Sequence, residues 1–349
     1  MITRAVKIPG FFYVTKGATA RINELLKRED VKLTNSLIVS GKGFTRPIGD
    51  LVKRSLDGQT SRVYVDKNEI GSITTVQNAI RSSDPSLVIG VGGGKVLDIT
   101  KFCAFKLNKP FLAVPTILSN DGISSPISVV HTEEGIGSIG TNPPIGIIAD
   151  VDVIKKSPNE AILAGIGDLI SNISAVEDWN LASMYLGEKV DKFAEILAKN
   201  SADGFIQYLL RNNKWKSLLD EHVITSLAEG LIQSGIAMSL AGSSRPCSGS
   251  EHLISHALDK LLDFAKPHGI QVGLATLFTQ SLRNIDVSDM KALFRQIGFP
   301  TTPMDLGIPM SVFMDAIRNA PNTRKGRFTI LDIISDKEIE QAVNVAYGT

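Results

Sequence analysis

Ser86-Leu-Val-Ile-Gly-Val-Gly-Gly-Gly-Lys-Val-Leu-Asp98 is the stretch on which the fold turns. Its first half is a short apolar run rich in β-branched residues, bounded by a glycine cluster, and that pattern predicts a buried strand. Its second half opens a helical pattern, and the glycines lie at the junction. Glycines there let the backbone approach a ligand closely, and the amides and dipole at a helix start favour an anion such as a pyrophosphate. The spacing matches neither Gly-x-Gly-x-x-Gly nor the P-loop pattern, so on local evidence the turn reads either as a phosphate cradle or as a tight strand-to-helix connection.

The same alternation continues on both sides. A β-rich run at 36–40 precedes a helical pattern at 46–56, and a second run at 62–65 precedes one at 72–82. Downstream, 111–114 and 145–149 read as further buried strands. Between them, 127–131 and 136–139, joined by Thr132-Glu-Glu-Gly135, read as a hairpin that gives the sheet an antiparallel elaboration. Strands alternating with helices specify a parallel sheet with crossover helices.

After Ser157-Pro158 the texture changes, and apolar residues recur at helical spacing through 160–186, 190–210, 220–241, 249–264, 269–281 and 288–297. The expectation is an α/β N-terminal Rossmann-like dinucleotide domain over residues 1–155 and an all-α domain over 156–349. No repeat of 20–50 residues is visible, which excludes a solenoid.

With 349 residues, 43% of them hydrophobic, the chain has ample material for a core. Its 37 basic and 36 acidic residues nearly cancel, leaving no polybasic face for nucleic acid. The N-terminus lacks an apolar leader core, and no run approaches the roughly 20 apolar residues of a membrane span, so a cytoplasmic protein is expected. Cys103 and Cys247 are the only cysteines and form no Cys-x-x-Cys pair. A disulfide framework and a zinc ribbon are thereby excluded, and any metal must be held by histidine and carboxylate.

Three of the five histidines fall within 17 residues. In Gly249-Ser-Glu-His-Leu-Ile-Ser-His-Ala-Leu-Asp259 a helix puts His252 and His256 on one face, one turn apart. His268 follows in Pro267-His-Gly269. Asp168, in Gly165-Ile-Gly-Asp-Leu-Ile-Ser-Asn172, is the natural acidic companion, because oxygen with imidazole suits zinc. The spacing alone leaves metal binding, a proton relay and hydrogen-bonded core histidines open. Glu251 and Asp259 read as solvated or ligand-orienting carboxylates.

Two polar stretches complete the reading. Pro115-Thr-Ile-Leu-Ser-Asn-Asp-Gly-Ile-Ser-Ser125 follows a strand, at the carboxyl end where open α/β sheets place ligands. Thr116, Ser119, Asp121 and Ser125 offer polar groups there; a capping loop would account for all but Asp121. Thr323-Arg-Lys-Gly-Arg-Phe-Thr-Ile-Leu331 ends in a strand-like run, and its Arg324, Lys325 and Arg327 read as a solvated loop or as a phosphate contact.

Together these stretches resemble the glycerol-1-phosphate dehydrogenase family, within the superfamily of dehydroquinate synthases, glycerol dehydrogenases and iron-dependent alcohol dehydrogenases. The matching motifs are Gly90-Val-Gly-Gly-Gly-Lys95, Pro115-Thr…Leu118-Ser-x-Asp-Gly-Ile-x-Ser125, Gly167-Asp-Leu-Ile-Ser-Asn172 with Asp178-Trp179, Ser248-Gly-Ser-Glu-His-Leu…Ser-His-Ala-Leu-Asp259 and His268-Gly-x-Gln-Val-Gly273. They span most of the chain. One departure is Ile270, where an acidic residue is expected in many relatives.

The resemblance implies a dehydroquinate synthase-like fold with a metal in the cleft between the two domains. It implies Asp168, His252 and His268 as ligands of one divalent metal, zinc, with Asp168 also at the substrate. It implies Asp121 and His256 as catalytic and substrate-binding residues. The cofactor, NAD or NADP, would lie on Gly94, Lys95, Val96, Leu97, Asp98, Thr116, Ile117, Leu118, Ser119 and Ser125.

The implied reaction is reversible reduction of dihydroxyacetone phosphate to sn-glycerol 1-phosphate, the backbone of archaeal-type ether lipids. A small phosphorylated substrate and a homo-oligomer are expected with it. Three rivals remain: a dehydroquinate synthase-like lyase, from whose Asn-Phe-Gly-His pattern the Ser-Gly-Ser-Glu-His context departs; a plain glycerol dehydrogenase; and a catalytically silent nucleotide-binding protein, disfavoured because all the proposed ligands are present together.

Overall fold

The computed structural model describes residues 5–66, 70–132, 135–211, 217–262 and 266–348. In chain order the first part comprises β1 (Phe11–Thr15), α1 (Ile22–Arg28), β2 (Asn35–Gly41), α2 (Thr45–Ser55), β3 (Gln59–Val65), α3 (Ile70–Ser83), β4 (Leu87–Gly92), α4 (Gly94–Lys106), β5 (Phe111–Pro115), β6 (Ile127–Thr132), β7 (Gly135–Gly140) and β8 (Gly146–Asp150). Helices follow: α5 (Val151–Ile154), α6 (Asn159–Ile170), α7 (Asn172–Leu186), α8 (Lys192–Arg211), α9 (Glu221–Ala241), α10 (Ser250–Leu261), α11 (His268–Leu282), α12 (Ser288–Ile297), α13 (Met310–Asn319) and α14 (Asp336–Tyr347).

Six strands form one wholly parallel sheet in the order β1-β8-β5-β4-β2-β3. All six residues of β4 are buried, as expected of a strand covered on both faces. Alternate side chains serve opposite faces. Leu87, Ile89 and Val91 join Ile38, Val52 and Leu112 under α1 and α2, whereas Val88 joins Leu37, Leu97 and Phe102 on the side of α3 and α4. The second apolar cluster runs without a break into the helical part, through Leu118, Ile166, Leu227, Ile254 and Phe313.

Three expectations are corrected. The hairpin β6-β7 is a separate two-stranded sheet rather than an extension of the main one; the two glutamates of its expected turn lie outside the described residues, as does Phe264 at the end of the expected helix 249–264. The helix expected over 160–186 is two helices meeting at Ser171, whose hydroxyl donates to the Asp168 carbonyl at 2.7 Å and so competes with the helical ladder. The strand-like run before Leu331 is a single 3-10 turn, Ile330–Asp332, capped by Thr329.

The edge strand β1 and the helices α13 and α14 were not anticipated. α9 is also long and apolar enough to cross a membrane, contrary to the sequence reading, but 61% of its apolar window is buried inside the fold. Asp220 caps its first turn by accepting from the His222 amide at 2.9 Å.

Candidate active site

The carboxyl ends of the neighbouring strands β4 and β5 face the second half of α10 and the start of α11 across a cleft of about 1220 Å³. On the strand side Gly93, the residue before α4, is extended, and a Cβ there would collide with Ile117. Glycine therefore lets the turn lie against the following loop, with Gly93 and Gly94 at the cleft wall. Gly94, Lys95, Val96, Asp98, Ile117 and Ser119 of the expected cofactor set line this cleft.

Leu97 and Leu118 instead lie in the core, and Thr116 and Ser125 are buried beneath the wall. The Thr116 amide donates to the Gly92 carbonyl at 3.0 Å, and the Ser125 amide to the Asp121 carbonyl at 3.0 Å, so their visible role is to shape the loop. The sequence reading missed Asn120 and, on the hairpin, Val129, His131 and Ser138, all of which line the cleft. It also missed Lys101, fully buried, whose ammonium donates to the carbonyls of Gly122 at 2.8 Å and Ile127 at 2.7 Å. A lysine three residues after Asp98 was the available signal, and the two charged groups lie 3.9 Å apart.

Across the cleft, the close approach of α6 to α11 brings the acid to the histidines. A Cβ on Gly269 would run into the Ala164 carbonyl, and one on Gly167 into the Gly269 carbonyl. Only two bare backbones can pack so tightly. Asp168 on α6, His252 on α10 and His268 at the start of α11 each present a donor atom, and these lie within 4.8 Å of one another.

Each imidazole has one nitrogen committed to an orienting partner. The buried Glu251 carboxylate accepts from His252 Nδ1 at 2.8 Å, leaving Nε2 toward Asp168 Oδ1 at 3.7 Å. His268 Nδ1 is 2.9 Å from Ser255 Oγ. This is how imidazoles are held for a metal, with the other ring nitrogen fixed by an outer partner.

A second grouping, His256, Asp259 and His268, also meets within 4.8 Å. Its carboxylate, however, is exposed and occupied by Gln271 Nε2 at 2.9 Å. The Asp168 set is the better cage: more buried, and charged to attract a cation.

The electrostatics agree. Burial works against a charged His252, but the Asp168 and Glu251 carboxylates outweigh it and raise its pKa to about 9. The two carboxylates therefore favour positive charge at that point. Burial, then the charges of His252 and His256, hold His268 well below the usual histidine range. His256 stacks on His268 at 5.7 Å between ring centres and lines the cleft. Burial first, and then the cations of His252, Arg324 and Lys260, lower its pKa to about 4, so it is a neutral imidazole.

Asp121 sits beside the metal set rather than on the cleft wall. Its amide donates to Asp168 Oδ2 at 2.9 Å, and Ser234 Oγ of α9 donates to its carboxylate at 3.1 Å. Burial, and then the Asp168 charge, raise its pKa.

A profile described as iron-containing alcohol dehydrogenase matches residues 13–158. The chain is 36% identical over 329 residues to a glycerol-1-phosphate dehydrogenase [NAD(P)+] of Pyrococcus abyssi, covering 93% of each. It is 37% identical over 325 residues to the enzyme of that name from Methanoregula boonei, covering 92% of this chain and 89% of the relative. The chain belongs to the glycerol-1-phosphate dehydrogenase family.

Solved structures extend the fold of the family chain. A sulfoacetaldehyde reductase from Bifidobacterium kashiwanohense, in complex with NAD+, superposes with a TM-score of 0.76 at 18% identity over the whole of both chains. A probable glycerol dehydrogenase from Sinorhizobium meliloti does so at 0.75 and 21% identity, covering 98% of this chain and 97% of its own. At such identities the likeness concerns the fold: an α/β part beside a helical part.

Proposed function

We propose that this member of the glycerol-1-phosphate dehydrogenase family transfers hydride reversibly between NAD(P)H and the carbonyl of dihydroxyacetone phosphate, giving sn-glycerol 1-phosphate. The observation that carries the reading is the convergence of Asp168, His252 and His268 beside a cleft whose opposite wall is the glycine turn before α4. A nicotinamide cofactor would lie on Gly94, Lys95, Val96 and Asp98 and on Ile117 and Ser119, with its pyrophosphate toward the start of α4.

Asp168, His252 and His268 hold one divalent ion, and one acid with two imidazoles fits zinc. Such an ion polarises a carbonyl oxygen as negative charge develops on it. Glu251 fixes the tautomer of His252, Ser255 orients the His268 ring, and the α6–α11 contact fixes the spacing of Asp168 and His268. His256, neutral and open to the cleft, exchanges the proton of the product hydroxyl with solvent. Asp121, held by Ser234, orients the substrate from beside Asp168. We place the boundary between the two parts near residue 155, just after the short helix α5.

The test is metal analysis of the purified protein together with dihydroxyacetone-phosphate-dependent oxidation of NADH and NADPH and a chirality assay of the product. The reading predicts about one ion per chain, net oxidation of reduced cofactor and the sn-1 ester. Turnover without net oxidation would move the chain to the lyase class. Equal rates with glycerol and its phosphate ester would make it a plain glycerol dehydrogenase.

A further inference from the structure

Thr323 and Arg324 line the cleft beside His256 and Lys260. The 3-10 turn Ala320–Thr323 packs on α10, and Thr323 Oγ1 donates to the Leu253 carbonyl at 3.5 Å. Arg324 is thus indexed to the helix that carries both His252 and His256. Along that helix His252, His256 and Lys260 follow at four-residue steps, each a rise of about 6 Å. The row runs from the metal ligand, past the proton-transfer imidazole, to a lysine.

Behind Arg324 stands an arginine cluster in which Glu188 is paired with Arg245. Arg324 Nη1 donates to Ser244 Oγ at 3.0 Å, and Arg327 Nη2 donates to the same oxygen at 2.8 Å. Arg327 Nη1 donates to the Ser248 carbonyl at 3.1 Å, and Arg245 to Glu188 and to the Phe328 carbonyl at 2.7 Å. Arg245 and Arg327 are buried and spent on protein partners, whereas Arg324 is exposed to the cleft. Burial, then the charges of Arg324 and Arg245, lower the Arg327 pKa to about 9.

We propose that Arg324, assisted by Lys260, binds the phosphate monoester of the substrate and so sets the preference for a phosphorylated three-carbon compound. Lys325 does not line the cleft, and Arg327 positions Arg324 through their shared contact with Ser244. A guanidinium suits a phosphate dianion because it donates two parallel hydrogen bonds. The inference rests on the reductase reading above and adds the residue that recognises the phosphate.

The experiment compares wild type with Arg324→Gln and Arg324→Lys, using dihydroxyacetone phosphate, unphosphorylated dihydroxyacetone and inorganic phosphate as probes. Arg324→Gln should lower kcat/KM for the phosphate ester on the order of 10- to 100-fold, mainly through KM, as expected for loss of a charge-assisted contact. The rate with unphosphorylated dihydroxyacetone should change less than about 3-fold, and Arg324→Lys should restore part of the loss. Competitive inhibition by inorganic phosphate should weaken in parallel.

An unchanged KM for the ester, or a rise in KM for NADPH instead, overturns the assignment. Failure of the reductase reading is seen separately, as wild type without ester-dependent oxidation of cofactor. The site is then decided by thermal shift: stabilisation by inorganic phosphate in wild type and its loss in Arg324→Gln support it, and equal shifts in both sink it.

Discussion

One turn of α10 separates His252 from His256, and their surroundings set them apart. His252 has Glu251 on one nitrogen and Asp168 near the other. His256 faces the cleft and stacks on His268. Replacing His268 with alanine should therefore remove the metal and turnover together, whereas His256→Ala should keep about one ion per chain while kcat falls roughly 10²- to 10⁴-fold, the usual worth of general acid–base catalysis. Atomic absorption and steady-state kinetics on the two variants check this; an active, metal-free His268→Ala protein would refute the assignment. None of this asymmetry was legible in the four-residue spacing, which treats the two histidines alike. Family resemblance separated them, and the structure supplies a physical basis: a glutamate adjacent in sequence that only a particular rotamer brings to Nδ1, and a serine one turn on that reaches His268.

At the scale of elements, the site depends on two helices closer together than side chains ordinarily permit. Gly269→Ala must push α11 off the Ala164 carbonyl, and overpacking of this kind costs about 1–3 kcal/mol. The displacement also moves His268 away from Asp168, so metal content should fall with the melting temperature. Ser255→Ala provides the contrast: it leaves the helix contact alone and should weaken metal binding with a smaller loss of stability. Equal metal content in Gly269→Ala and wild type would show that the close approach does not set the ligand spacing. The sequence showed the glycines as motif members but not as a packing surface, because a glycine records nothing of what it faces. Strands were more legible: β2, β4, β5 and β8 fall within about a residue of their apolar runs, since a fully buried parallel strand is apolar on both faces. The five-residue edge strand β1 carries a weaker signal, with Phe12 half exposed and the rest of the strand only partly buried. The α6–α7 break was hidden because apolar spacing continues across Ser171.

For the whole molecule, the question is whether the α/β and helical parts behave as two bodies. The proposed metal ligands lie wholly in the helical part, on α6, α10 and α11, and the glycine turn lies wholly in the other. The parts are nonetheless joined in two ways. One apolar cluster contains Val88 and Phe111 of the sheet together with Ile166, Leu227 and Phe313 of the helices. The 121–125 loop docks on α9, where Ser124 Oγ donates to the Leu231 and Ile232 carbonyls, each at 3.1 Å, and a Cβ on Gly235 would collide with Ser124. Separating the parts would expose that apolar surface and leave buried polar groups unpaired, so they should unfold as one cooperative unit. Calorimetry should accordingly show a single transition that moves up with either ligand. A metal or NADH supplied at 100 times its dissociation constant should each stabilise the whole by about 2.7 kcal/mol, since both bind only the native state. Two transitions, with chelator shifting one and NADH the other, would mean that the shared core does not couple the parts and that each carries its half of the site independently.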